Sequence, residues 1–246
     1  MLKIIAHRGA SGLAKQENSI EAFKIAMDLN SDMVEFDVRQ TRDKKLIVIH
    51  DSVYNDVPVE YQLYEKIEKE AEEKSCHIPL LEEVLILCHG KVKMDIEIKE
   101  IGFEKAVVEM LHKYCDHNEY TVKSFIDKVP YRIKKLDPDI TVGLLIGQRH
   151  KRLKRRIEDH FPIRRLKACK ADFVSPHYSL LSRFFCWKVR GAGFEIYPWT
   201  INSEKKMRKY LKRSDGIITD NPDLGIYVRN TMLKMCSFTK KGKNSL

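Results

Sequence analysis

The 246 residues are 43% hydrophobic and 33% charged and carry a formal charge of +10, which suits one barrel-sized domain or two small ones, the single domain being the simpler reading. No window approaches the ~18 uninterrupted apolar residues of a membrane span, and the apolar run in MLKIIAHRGASG is too short for a secretory signal, so the expected location is the cytoplasm. Cys76, Cys88, Cys115, Cys169, Cys186 and Cys236 form no CxxC pair or tight Cys/His spacing, which speaks against a zinc knuckle or disulfide framework and for free thiols, while the positive charge favours an anionic partner.

In chain order, short β-rich runs alternate with helical stretches, the pattern of a parallel α/β fold. KIIAHRG reads as the first strand, and Ser19 to Asn30 as a helix capped by Ser19, with Ile20, Phe23, Ala26 and Met27 on its buried stripe. MVEFDVRQ and LIVIH follow as strands joined by the polar turn TRDKK. A charged segment then leads to helix LLEEVLILC, strand KMDIEIK, helix FEKAVVEMLHKYC, strand YTVKSF, helix DKVPYRIKKL and strand TVGLLIG. Beyond a basic helical region lie strand DFVSPH, helix LLSRFFCWKVR, strand EIYPWTI, helix SEKKMRKYLKR and strand GIITD. Setting aside the hairpin strand LIVIH, eight strands each precede a helical segment. A closed TIM (β/α)8 barrel is therefore expected over residues 1–230, with a short insertion after the second-strand hairpin and a basic tail over 231–246. No GxGxxG or GxxxxGK[ST] occupies a strand-to-helix turn, which removes the nucleotide-binding readings of an open sheet.

Reactive groups in barrels gather at the carboxyl ends of strands. His7 and Arg8 end the first strand, Glu97 and Lys99 lie near the end of another, and Trp199, Asn202, Thr219 and Asp220 end the last two. Glu35 and Asp37 are two apart on a strand and share one face, opposite Val34, Phe36 and Val38. Two adjacent anions call for a cation, and Glu97 supplies a third carboxylate from a separate strand. Three oxygen ligands suit Mg2+ or Ca2+ better than zinc. With the TRDKK turn centred between Asp43 and Lys44, His50 falls roughly opposite Asp37 and faces the same point. His7 and His50 then flank a cation, as displacement at phosphorus needs for one acid and one base. Arg8 and Lys99 suit nonbridging phosphate oxygens, and Trp199 an apolar wall for the leaving alcohol. Salt bridges from Arg8 and Lys99 to Glu35 or Glu97, and a plain core role for Trp199, are the alternatives. His77, His89, His112, His117, His150, His160 and His177 read mostly as surface residues.

With these residues in view, the sequence resembles the glycerophosphodiester phosphodiesterase family. HRG at His7 to Gly9, ENSIEAF from Glu17, EFDVRQTRDKKLIVIHD from Glu35 to Asp51, IPLLEEVL from Ile78, IEIK ending at Lys99, PWTIN and GIITDNP resemble its blocks in the correct order. The resemblance implies a barrel with metal on Glu35, Asp37 and Glu97, proton transfer by His7 and His50, phosphate contacts from Arg8 and Lys99, and hydrolysis of a small-molecule glycerophosphodiester to glycerol 3-phosphate and an alcohol. Gln16, Asn30–Ser31 and Lys44–Lys45 depart from the family pattern without removing a proposed catalytic group. The stretch between Asp51 and Ile78 lacks the family's Arg-Thr-Thr-like segment, which leaves the alcohol open.

Basic residues from Arg149 to Lys170, interleaved with Leu153, Ile157, Phe161 and Leu166, read as one amphipathic basic helix, either a solvated outer helix or a contact with an anionic membrane surface. The competing activities are a lysophospholipase D or sphingomyelinase D-like phospholipase; a rival of another class is a noncatalytic polyanion-binding barrel. No nucleic-acid partner is expected.

Overall fold

The computed structural model describes residues 2–147 and 153–241, with side chains throughout except at 153–155 and 235–241. In chain order the elements are β1 (Lys3–Ala6), α1 (Ile20–Asp28), β2 (Met33–Gln40), β3 (Leu46–Val48), β4 (Val53–Tyr54), β5 (Val57–Pro58), α2 (Tyr64–Glu72), α3 (Leu81–Cys88), β6 (Lys93–Ile98), α4 (Glu104–Tyr114), β7 (Tyr120–Ser124) and α5 (Lys128–Leu136). They continue through β8 (Val142–Ile146), α6 (Leu153–His160), α7 (Ile163–Ala168), β9 (Phe173–Pro176), α8 (Arg183–Gly191), β10 (Glu195–Ile196), α9 (Glu204–Leu211), β11 (Gly216–Thr219) and α10 (Pro222–Lys241).

Eight strands pair in parallel in the order β10, β9, β8, β7, β6, β2, β1, β11. The two ends of this sheet meet, because Asp215 N–H donates to the Ile196 carbonyl at 3.0 Å and Ile218 N–H to that of Pro198 at 2.9 Å. The expected (β/α)8 barrel is therefore the observed fold. Alternation sorts the side chains: Val34, Phe36 and Val38 on β2 and Met94, Ile96 and Ile98 on β6 point outward into a core shared with Phe23, Leu81, Leu85 and Val107 of the helices. Residues of the opposite parity fill the interior, where Ile5, Met33, Phe173, Tyr197 and Ile218 form an apolar plug. Gly143 makes the plug fit, since a Cβ there would lie 2.2 Å from the Phe173 ring.

Local signals explain the elements that frame the site. Ser19 Oγ accepts the Ala22 N–H at 3.1 Å and starts α1. The helix ends with the Asn30 N–H donating to the Met27 carbonyl and the Ser31 N–H to that of Ala26, with Asn30 at φ 58. Asn30 thus occupies a left-handed position that glycine usually fills, and asparagine is among the residues that tolerate it.

Several expectations are corrected. β3 pairs with β2 so that Val38 faces Val48 and Gln40 faces Leu46, and the Ile49 N–H donates to the Asp37 carbonyl at 3.0 Å. The hairpin is therefore one residue out of the expected register, and His50 lies past the end of the ladder rather than opposite Asp37. The physical reason is the turn: Thr41 N–H and Lys45 carbonyl close it at 3.0 Å with Lys44 at φ 65. The basic segment is not one helix. Arg149, Lys151 and Arg152 lie outside the described residues, and the rest up to Lys167 forms α6 and α7, separated at Phe161 and Pro162, with Lys170 in the turn after α7. Arg165 turns inward, paired with Asp127 at 2.7 Å and with Asp159.

The insertion between Asp51 and Ile78 packs Val59, Ile67, Ala71 and Ile78 against Ile47 of β3 in a small separate core. Helix α10 runs unbroken across residue 230, where the sequence placed the end of the barrel, and residues 242–246 lie outside the described part. Cys76, Cys88, Cys115, Cys169 and Cys186 are free thiols. No helix among the described residues is long and apolar enough to cross a membrane.

Candidate active site

The carboxyl ends of the strands enclose a cavity of about 260 Å3 lined by His7, Arg8, Glu35, His50, Glu97, Lys99, Lys123, Phe125, Leu145, Trp199, Thr200 and Ile218. Seven of the eight residues singled out from the sequence thus line one space, and the eighth, Asp37, is buried beside Arg8 and Lys99. Strand register does most of this work. Asp37 sits beside Glu97, Glu35 beside Asp95, and Glu97 beside Lys123 on the next strand.

Glu35, Asp37 and Glu97 are all buried, and each offers an oxygen within 4.8 Å of the other two. Arg8 Nε lies 3.2 Å from Asp37 Oδ2, and Lys99 Nζ lies 3.1 Å from Asp37 Oδ1 and 2.7 Å from Glu97 Oε1. Burial alone favours the acid form of Asp37, but Lys99, Arg8 and the Asn18 amide, donating at 2.9 Å, override it and hold the carboxyl well below the usual range. Glu97 goes the other way. Burial, reinforced by the charges of Asp37 and Glu35 and opposed by Lys99, pushes it up to about 7. Three hard oxygen donors gathered in one buried cluster fit a divalent cation.

His7 follows β1 and is partly buried, with Nδ1 held 2.6 Å from Asp220 Oδ1 and Nε2 turned toward Glu35 Oε2 at 4.0 Å. Burial disfavours its charged form, yet Glu35 and Asp220 raise its affinity for a proton overall. His50 shows the reverse, lowered by burial and then by Lys99. Its Nδ1 is 2.8 Å from Asp51, and its carbonyl accepts two hydrogen bonds from Arg39, at 2.9 and 2.7 Å, which fix the backbone that carries the ring. The turn after His7 needs Gly9 at φ +77, where a Cβ would lie 2.7 Å from Ala22 of α1. That turn aims the Arg8 N–H at Glu35 Oε2, 3.0 Å away, and leaves the guanidinium to Asp37 and to Glu17 at 2.7 Å. Lys99 therefore makes the salt bridge to Glu97 held open as an alternative, whereas the Arg8 guanidinium pairs with Asp37 and Glu17 rather than with Glu35 or Glu97; both side chains also border the cavity. Trp199 meets Phe125 edge to face at 5.5 Å, and its indole donates to the Ser175 carbonyl at 2.9 Å.

Sequence reasoning missed Lys123. It is fully buried, 3.2 Å from Glu35 and 2.6 Å from Asp95, and these carboxylates raise its pKa in spite of burial. The signal was present in YTVKSF, since Thr121 and Lys123 share the inward parity. Asp220 was noted only as a strand-end residue, and the support given by Asn18, Arg39 and Asn202, which donates to Asp220, had no pattern of its own.

A model of the glycerophosphoryl diester phosphodiesterase family matches residues 7–224. Among curated relatives, YhdW of Bacillus subtilis (strain 168) is 31% identical over 239 residues, covering 89% of this chain and 95% of its own. A glycerophosphodiester phosphodiesterase of Caldanaerobacter subterraneus subsp. tengcongensis is 30% identical over 239 residues, covering 89% and 94%. Among solved structures, an Oleispira antarctica phosphodiesterase in complex with the product sn-glycerol-3-phosphate superposes with a TM-score of 0.78 at 22% identity, covering 93% of this chain and 96% of that one. With the barrel, the order of its sequence blocks and a match over most of its length, the chain belongs to the glycerophosphoryl diester phosphodiesterase family.

Proposed function

We propose that this phosphodiesterase hydrolyses glycerophosphodiesters to glycerol 3-phosphate and an alcohol, with Glu35, Asp37 and Glu97 holding Mg2+ or Ca2+ and with His7 and His50 moving protons. The observation that carries the reading is the convergence of two imidazoles, three buried carboxylates, Arg8 and Lys99 on one cavity. A bound divalent cation supplies a Lewis acid that polarises the phosphoryl group and offsets its charge. Arg8 and Lys99 orient the nonbridging oxygens, the first as a planar fork and the second as a point charge. Asp220 fixes the orientation of His7 and Arg39 the backbone of His50, so that one imidazole accepts the nucleophile's proton and the other protonates the departing alkoxide. The nucleophile is either the neighbouring glycerol hydroxyl or a water. Phe125, Leu145 and Trp199 give the alcohol an apolar flank, and no residue of the insertion lines the cavity.

The test is release of glycerol phosphate from a panel of glycerophosphodiesters and lysophospholipids, after EDTA and then with Mg2+, Ca2+ or Mn2+ restored. Turnover should vanish with EDTA and return with one of the ions; cleavage of no diester under any metal overturns the proposal. A second reading, work at an anionic membrane surface, is favoured by Phe184 and Trp187, exposed side by side on α8 at 6.1 Å among Arg183, Lys188 and Arg190. Equal cosedimentation with neutral and anionic vesicles counts against it.

A further inference from the structure

The opposite, amino-terminal mouth of the barrel carries a second group of ligand-type side chains. His112 stands in the last turn of α4, His117 in the single turn before β7, and Asp137 just after α5. Asp137 Oδ2 lies 2.7 Å from His112 Nε2 and 2.7 Å from His117 Nε2. Three residues from three consecutive segments of the chain thus point one atom each at a common spot, all within 4.8 Å of one another.

We propose that His112, His117 and Asp137 form a surface site for a borderline transition-metal ion of the Zn2+ type, with water completing the shell. Two imidazoles and one carboxylate select such an ion over the hard cations suited to the carboxylate cluster at the other mouth. Tetrahedral coordination with bonds of ~2.0–2.1 Å sets ligand atoms roughly 3.3 Å apart, so the group need open only by a rotamer-scale adjustment. Both imidazoles are about half exposed, which gives an ion access and the rings room to move. The supporting layer is in place: Asp137 Oδ1 accepts the Asp139 N–H at 2.9 Å, which fixes the carboxylate and leaves Oδ2 to the histidines. A separate observation points the same way. The buried hydroxyl of Tyr120 has no hydrogen-bond partner among the described residues, its ring lies 6.1 Å from that of His117, and the charge of Asp137 reaches it. A metal-bound water in this corner gives that orphan a partner.

The neighbouring group of His89, Cys115 and Glu119 is a weaker site, because Glu119 spends its oxygens on the N–H groups of Gly90 and Asp116 and on His89. An ion on His112, His117 and Asp137 fastens α4, the approach to β7 and the end of α5 together, so its effect falls on stability rather than turnover.

The experiment titrates untagged, EDTA-stripped protein with Zn2+ and, for a spectroscopic signature, with Co2+, in wild type, Glu97→Gln, His112→Ala/His117→Ala, Asp137→Asn and Cys115→Ser. One equivalent with the d–d absorption of a four-coordinate Co2+ site and a raised thermal midpoint should bind in Glu97→Gln, and the same four-coordinate signature should appear in wild type and Cys115→Ser, where the carboxylate cluster at the other mouth can take a further ion. Affinity should fall by more than about 100-fold, the most that losing a merely supporting residue costs, in the double variant and in Asp137→Asn. Circular dichroism checks that both variants fold. A four-coordinate Co2+ signature that survives in the folded double variant, that disappears with Glu97→Gln or Cys115→Ser, or that is absent from wild type overturns the site.

Discussion

Two layers of the barrel interior sit one above the other on the same strands and have opposite chemistry. Ile5 and His7, Met33 and Glu35, Tyr197 and Trp199, and Ile218 and Asp220 are each two residues apart, so each pair shares the inward direction. The lower member is apolar and packs the plug; the upper one borders the site or holds a residue that does. Burying each large side chain of the plug contributes roughly 1.5–3 kcal/mol, and the plug seals the underside of the charged cluster from water. Low local dielectric then strengthens the coupling among Glu35, Asp37, Glu97, Lys99 and Lys123, which in water would interact weakly. Stability is concentrated in one layer and chemistry in the other, although a single alternating pattern produces both.

Glu97→Gln tests this division most severely. With the proposed ligand oxygen replaced by an amide, kcat should drop by about 10^3-fold or more, while the thermal midpoint moves by no more than about 3 °C, because Glu97 already resists ionisation in its buried setting. A large fall in midpoint would show that the charged layer also holds the fold. The mirror experiment is Phe173→Ala, which opens a void in the plug opposite Gly143. Its expected cost is about 3–5 kcal/mol by urea unfolding, with kcat of the folded fraction within roughly tenfold of wild type. A catalytic loss as deep as that of Glu97→Gln would break the comparison.

How much of this was legible follows from the same alternation. Glu35 and Asp37 could be placed on one face from spacing alone, and His7 from its place after a β-branched run. Lys123 was overlooked because a lysine in a strand ordinarily marks solvent, and only the neighbouring register with Glu97 shows it to be interior. The one-residue slip of the hairpin came from Lys44, whose left-handed backbone is not a lysine habit. Tertiary pairing also overrode local pattern in the basic segment, where Arg165 satisfies Asp127 and Asp159 instead of joining a polar helix face. Closure of the barrel between β10 and β11 depends on loop hydrogen bonds that no periodicity announces.

A region outside both layers sharpens the contrast, because changes there should touch stability slightly and turnover not at all. Lys44 is exposed at φ 65. Glycine there removes a left-handed penalty of ~1–2 kcal/mol and incurs an unfolded-state entropy cost of ~0.5–1 kcal/mol, so Lys44→Gly should gain about 0.5–1 kcal/mol in urea unfolding with kcat unchanged. A destabilised Lys44→Gly protein would refute the strain assigned to the turn.

The smallest effect belongs to His77, which joins the insertion to the barrel through Glu68 on α2 and Glu83 on α3, the latter at 3.3 Å. Burial opposes its charge, but the hydrogen bond and charge of Glu68, followed by Glu83, raise its pKa above 6.5. A raised folded value means that the stabilisation is complete below the unfolded value near 6.5 and disappears as pH climbs through the folded one. Because the side chain is 42% exposed, the contribution is under about 1 kcal/mol. Amide exchange corrected for intrinsic rates should show residues 51–78 losing protection relative to the barrel strands as pH rises above the ordinary histidine range, a difference abolished in His77→Gln. Equal pH response of insertion and strands, or an unchanged response in His77→Gln, would mean that the insertion is held by its small apolar core and owes nothing to this contact.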